Sequence, residues 1–148
     1  ILTIYDTGER IGAVLAVAPG DVSLAQSWIV FRKTKTGSPR YCQLAADTVA
    51  ELRHVYDAGT SLVWPWPHTR ECLYQRFRRL CRRACIAFGR ARGGLFHKLR
   101  RTSGTLVEAN GGDGARHIGN TRAVFVKHYC DPRFFGGTLP FLPRPQVG

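Results

Sequence analysis

The sequence predicts a mainly helical α+β domain with a small antiparallel sheet at one edge. Apolar residues recur at helical spacing through the middle and C-terminal parts of the chain. Two strand-like runs, 27–33 (SWIVFRK) and 39–44 (PRYCQL), flank TKTGS, which reads as a β-hairpin. At 148 residues the chain is long enough for one domain with a buried core of its own.

Taken in order, residues 9–17 (ERIGAVLAV) read as a short apolar helix stopped by Pro19-Gly20. The hairpin follows, and then a helix over 46–58, with Val49, Leu52 and Val55 at helical spacing and Gly59 as its stop. VWPWPH is an aromatic loop, because Pro65 and Pro67 forbid a regular ladder. The clearest helix runs from about Thr69 to Ile86, with Leu73, Phe77, Leu80, Cys81 and Ala84 on one face. GRARGG is a basic loop. The next helix, 97–112, turns Leu99, Ser103, Leu106 and Val107 inward and stops at Gly111. Asp113 caps a brief turn through Ile118, and Thr121 caps a last helix that delivers Tyr129. The end of the chain, 134–148, is a Pro/Gly-punctuated apolar tail. Its Phe134, Phe135, Leu139, Phe141 and Leu142 are too apolar to stay exposed, so it is expected to pack on its own domain or on a neighbouring copy.

Charge narrows the function. A formal net charge of +12 and a pI near 10.3 point to a polyanionic partner, nucleic acid first. The positive residues cluster: between Arg70 and Arg101 nearly every charge is positive, and Arg76, Arg79 and Arg83 share one helical stripe. A solvated face mixes signs, so this run fits phosphate contacts, with Arg101 beside it. Five cysteines without a C-x-x-C pair fit reduced thiols in a cytoplasmic protein. Cys81 and Cys85 share a helix face and are expected to pack in the core. Asp6 and Glu9 spoil the basic leader that a signal peptide needs, and no segment approaches a membrane span. The chain contains no methionine, so a further portion is expected upstream.

His97 and Arg100 lie three apart on one helix face, where both can reach a single phosphate. Alone the pair is unspecific. Three companions give it weight: Arg10 in a TGER turn, Lys35 at the hairpin tip, and Tyr129 after a helix. This ordered set, DTGERIGAVLAV, TKTGSPRYCQL, HKLRRTSGTLVEANGGD and VFVKHYCDP, resembles the tyrosine recombinase (phage integrase) family over nearly the whole chain. The resemblance implies the family's catalytic domain over 1–133, lacking the core-binding domain that completes its clamp. It implies DNA cleavage by Tyr129 through a 3′-phosphotyrosyl link. Arg10, Arg100, His97 and Asn120 would serve the phosphate, and Lys35 would protonate the leaving group. Double-stranded DNA is the implied partner, with self-association on it. No cofactor is expected, because no carboxylate cluster suited to Mg²⁺ is visible.

Two positions depart from the family pattern. Asn120 precedes Tyr129 by nine residues, the family's spacing for its third histidine, whereas His117 is twelve away without a preceding glycine. Asn120 is therefore read as a substitution, His117 as a bystander facing solvent or DNA, and His128 as a flank of the nucleophile. Ala13 stands three residues after Arg10, where the family commonly carries a supporting carboxylate. An amide donates but carries no charge, and losing one preorganised donor costs about 3 kcal/mol of barrier. A slow site-specific recombinase is the expectation. The alternatives are a DNA-binding remnant without chemistry and a type IB topoisomerase-like relaxing enzyme.

Overall fold

The computed structural model describes residues 1–32, 37–88 and 94–131. Lys35, the GRARGG loop from residue 89 to 93, and the tail lie outside the described residues.

Seven helices and one sheet make up the described chain. Helix α1 (Leu2–Thr7), which the sequence reading did not anticipate, ends at Gly8 in the left-handed region, φ 62°. Only glycine takes that conformation without strain, and a Cβ there would lie 2.7 Å from Ile118 Cγ2. Helix α2 spans only Ile11–Val14, shorter than the expected 9–17, because Arg10 is still extended as its N-cap. After a single helical turn at Pro19–Asp21 come β1 (Val22–Ser23), β2 (Trp28–Phe31) and β3 (Arg40–Gln43). They form an antiparallel sheet in the order β1-β2-β3, so the expected hairpin gains a third, two-residue strand. Its β2–β3 register sets Ile29 opposite Cys42 and Phe31 opposite Arg40. Ile29, Phe31 and Cys42 face the core, which puts Arg40 on the inner face too by the period-two rule.

Helix α3 (Ala46–Val55) buries Thr48, Val49 and Leu52. Val55 is 53% exposed, outside the face it was assigned to. Helix α4 (Arg70–Arg83) is capped by Thr69, whose side chain accepts from the Cys72 N–H at 3.3 Å. It docks by stacking Phe77 on Phe96 at 4.3 Å and setting Tyr74 edge-on to the same ring at 5.3 Å. The helix ends at Arg83, before Ile86, so Ala84 falls past its end and is exposed; Leu80, within the helix, is also turned outward at 45% exposure. Cys81 is buried as expected, but Cys85 lies beyond the helix end, exposed, with φ 53°.

Helix α5 (Phe96–Ala109) buries Phe96, Arg100, Ser103, Gly104 and Thr105. Ser103 turns inward as expected, whereas Leu99, Leu106 and Val107 are half-buried. Asp113 and Thr121 cap α6 (Gly114–His117) and α7 (Arg122–His128), accepting from the N–H groups of Arg116 and Val124. The main core joins Ile4, Val17, Ile29, Phe31, Leu52 and Phe96, among others. A second, smaller one, Ala115, Ile118, Phe125 and Tyr129, seats α6 and α7 on α5. Among the described residues no helix is long and apolar enough to cross a membrane.

Candidate active site

A cleft of about 290 Å³ opens between α2, α4 and α5, lined by Glu9, Arg10, Arg70, Tyr74, His97 and Arg100, among others. Arg10 reaches it from the N-cap of α2. His97 and Arg100 reach it from α5, as their spacing predicts.

Arg100 is 1% exposed. A guanidinium cannot be buried without partners. One of its Nη groups donates to the Gly8 carbonyl and the other to the Ile118 carbonyl. Its Cζ stands 5.5 Å from the centroid of the Tyr129 ring. Its Nε is buried without a hydrogen-bond partner. Burial and the charge of Arg10 hold its pKa below the usual arginine value, and Glu9 opposes them.

Tyr129, 8% exposed, follows α7 directly. Its hydroxyl lies 3.2 Å from Nε2 of His97. Its carbonyl accepts from Thr105 Oγ1 at 2.9 Å, and that same hydroxyl oxygen accepts from the Asp131 N–H at 3.2 Å. His97 is exposed overall, yet partial desolvation, followed by the charges of Arg100 and Arg10, holds its pKa below the ordinary 6.5. At neutral pH the ring is therefore uncharged and can accept the phenolic proton at Nε2, in the tautomer that protonates Nδ1.

Asn120 is half-buried and is not part of that cleft's lining. Its backbone N–H donates to the Ala115 carbonyl at 2.9 Å, and its Nδ2 is buried without a hydrogen-bond partner. His117 does not face solvent, contrary to expectation. It is half-buried, with Nε2 2.7 Å from Ser103 Oγ. Burial and the charges of Arg40 and Arg100 push its pKa down to about 4. The physical reason is the turn of α6. That turn sets the His117 side chain against α5 while the carbonyls of 117 and 118, which lack helical partners, accept from Arg40 and Arg100. His128 is exposed beside the tyrosine.

Beneath the cleft lies a network that the sequence reading missed. Arg40 Nη1 donates to Glu9 Oε1 at 2.8 Å, and its Nη2 donates to the Thr7 carbonyl at 2.7 Å and to the His117 carbonyl. The signal was present: strand alternation puts Arg40 on the side of Cys42 and Leu44, which pack inward. Arg70 and Tyr74, at the start of α4, complete the cleft wall and were also passed over.

The Arg-rich stripe sits on α4, where Arg76, Arg79 and Arg83 are all exposed. Arg76 Cζ stands 5.0 Å from the centroid of the Trp66 ring, and Arg78 is instead paired with Glu71 at 2.9 Å. Arg101 is half-buried, with an unpartnered Nε.

No protein-family profile and no curated protein matches the chain. Solved structures do. XerA recombinase superposes with a TM-score of 0.71 and 23% identity, over 88% of this chain and 50% of that one. The catalytic domain of bacteriophage HP1 integrase gives 0.63 and 19%, over 90% and 74%. A lambda integrase dimer bound to a COC′ core site gives 0.66 and 20%, over 95% and 53%. The chain thus spans about half the length of XerA and of lambda integrase in those structures. It has the catalytic-domain fold of the tyrosine recombinases.

Proposed function

We propose that this chain, with the tyrosine recombinase catalytic fold as its frame, cuts and rejoins DNA strands in site-specific recombination or integration. One observation carries the reading: the Tyr129 hydroxyl sits against a neutral His97 and beside the buried Arg100, two residues that line a cleft with several cations and one carboxylate. Such a cleft calls for an anion, and a phosphodiester supplies one.

In the proposed step the Tyr129 oxygen attacks phosphorus while its proton passes to His97 Nε2. The bond from phosphorus to the 5′ oxygen breaks, leaving a 3′-phosphotyrosyl link that keeps the bond energy for religation. Lys35, in the role that the resemblance implies, gives the 5′ oxygen its proton. Charge developing on the non-bridging oxygens is met by Arg10 and Arg100, without a metal. The unpartnered Asn120 Nδ2 is a donor of the kind that a phosphate oxygen can satisfy. Double-stranded DNA is the proposed partner, with assembly of several copies on it, in line with the DNA-bound lambda integrase dimer. The stripe of Arg76, Arg79 and Arg83, with Arg101, would grip backbone phosphates.

A second reading, a DNA-binding remnant with weakened or lost chemistry, draws on Asn120 and Ala13. A library of nicked duplexes with randomised cores, captured covalently in detergent, separates the two. The recombinase reading expects a 3′-phosphotyrosyl adduct on Tyr129 that persists in EDTA and vanishes in Tyr129→Phe. Duplex binding without any adduct would favour the remnant. Relaxation of any supercoiled plasmid would favour a topoisomerase-like enzyme instead.

A further inference from the structure

We propose that Glu9 is the positioning carboxylate of this cleft, holding the arginines in register from beneath; the inference rests on the reading just given. Glu9 is 4% exposed. A carboxylate so buried is tolerated only when its lone pairs are taken. Here the two oxygens divide the work. Oε1 accepts from Arg40 Nη1 at 2.8 Å. Oε2 accepts from the backbone N–H of Arg10 at 2.8 Å and lies 4.0 Å from Arg100 Nη1. One side chain therefore reaches the backbone of one cleft arginine, the guanidinium of a second, and the supporting Arg40.

The surroundings fix Glu9 in turn. Its N–H donates to Thr7 Oγ1 at 3.2 Å, and that hydroxyl donates to the Thr3 carbonyl at 2.6 Å. Arg40, from strand β3, carries the restraint onward to the Thr7 and His117 carbonyls, so its guanidinium ties the carboxylate of the TGER turn to α6. Charge gives the second reason. Arg10 and Arg100 stand close enough for Arg10 to disfavour the charged form of Arg100, and Glu9 opposes that effect. Ala13, in the wall of the same cleft, contributes only a methyl group. The acid that keeps these cations together comes from the residue before Arg10 rather than from the next turn of helix.

A carboxylate facing a phosphate site repels the phosphate, so a positioning role makes an unusual prediction. Glu9→Gln keeps the shape and removes the charge. It should slow adduct formation by about 10- to 100-fold, the scale of an ångström-level misplacement. Affinity for the same duplex, recovered from the covalent capture, should stay the same or rise. Glu9→Asp, which keeps the charge on a shorter arm, should recover part of the rate. In nitrogen-edited spectra of the whole chain, separate, slowly exchanging Arg40 and Arg100 guanidinium signals should merge in Glu9→Gln. A merely structural residue would instead lower rate and affinity together, in step with the folded fraction. Wild-type cleavage by Glu9→Gln, or unchanged guanidinium signals, overturns the proposal. If the wild-type chain forms no adduct, the recombinase reading falls, and the spectra still decide whether Glu9 holds the arginines.

Discussion

His117 Nε2 and Ser103 Oγ lie 2.7 Å apart, and this contact locks α6 onto α5 with a histidine that stays neutral. Its pKa, about 4 against an ordinary 6.5, is low in the fold, so the unfolded chain takes up the proton first. Stability owed to the neutral ring is complete above pH 6.5 and is lost as pH falls towards 4. Arg40 and Arg100 act with burial in this direction, and Asp6 opposes them. Urea unfolding at a series of pH values should show a downward limb in the wild type that is shallower in His117→Gln. Equal limbs would mean that the ring is charged in the fold.

The same contact sharpens the test of register. Asn120→His should raise the rate of adduct formation by a few-fold to tenfold, or about 1 kcal/mol of barrier. A cationic ring strengthens as charge develops, whereas an amide dipole is fixed. His117→Gln, which can still bond Ser103, should cost stability but little chemistry. Abolished cleavage in His117→Gln with no gain in Asn120→His would make His117 the catalytic histidine.

Replacing Arg76, Arg79 and Arg83 together with Ala should weaken binding to every duplex alike. The logarithmic salt slope should fall by about one unit per lost phosphate contact. An unchanged slope in titrations from low to moderate salt would mean that this face of α4 looks at solvent.

Gly114 lets α6 lie against α5. A Cβ there would collide with the Gly104 carbonyl oxygen and lie 2.6 Å from Phe125 Cζ. Backbone cannot yield as a flexible side chain does, so Gly114→Ala should destabilise by about 1–3 kcal/mol. Thermal unfolding measures this. A wild-type midpoint would show that the two helices have room to part.

What the chain made legible was local chemistry. The caps at Asp113 and Thr121, the one-face pairing of His97 with Arg100, and the hairpin all follow from near neighbours, and all occur. Long-range charge burial was not legible. Glu9 and Arg40 are thirty-one positions apart, and nothing in TGER alone says that its acid points inward. Surface charge is the ordinary fate of both residue types. His117 was misread for a related reason: its spacing from Tyr129 speaks to register, whereas its environment depends on Ser103, on another helix. Inward faces failed where tertiary packing, not periodicity, decides them, as at Leu80 and Val55, which lie within α4 and α3 yet are exposed.

Helix α5 holds Tyr129 twice, by the Thr105 bond to its carbonyl and the His97 bond to its hydroxyl, while Arg100 from the same helix lies over its ring. On the proposed mechanism each copy would supply both attacking oxygen and phosphate clamp from its own chain. Two crippled copies would then not rescue one another. A mixture of Tyr129→Phe and Arg100→Ala chains on one duplex should yield no more adduct than either alone. Complementation between them would require the tyrosine to leave its own helix for a neighbour's cleft.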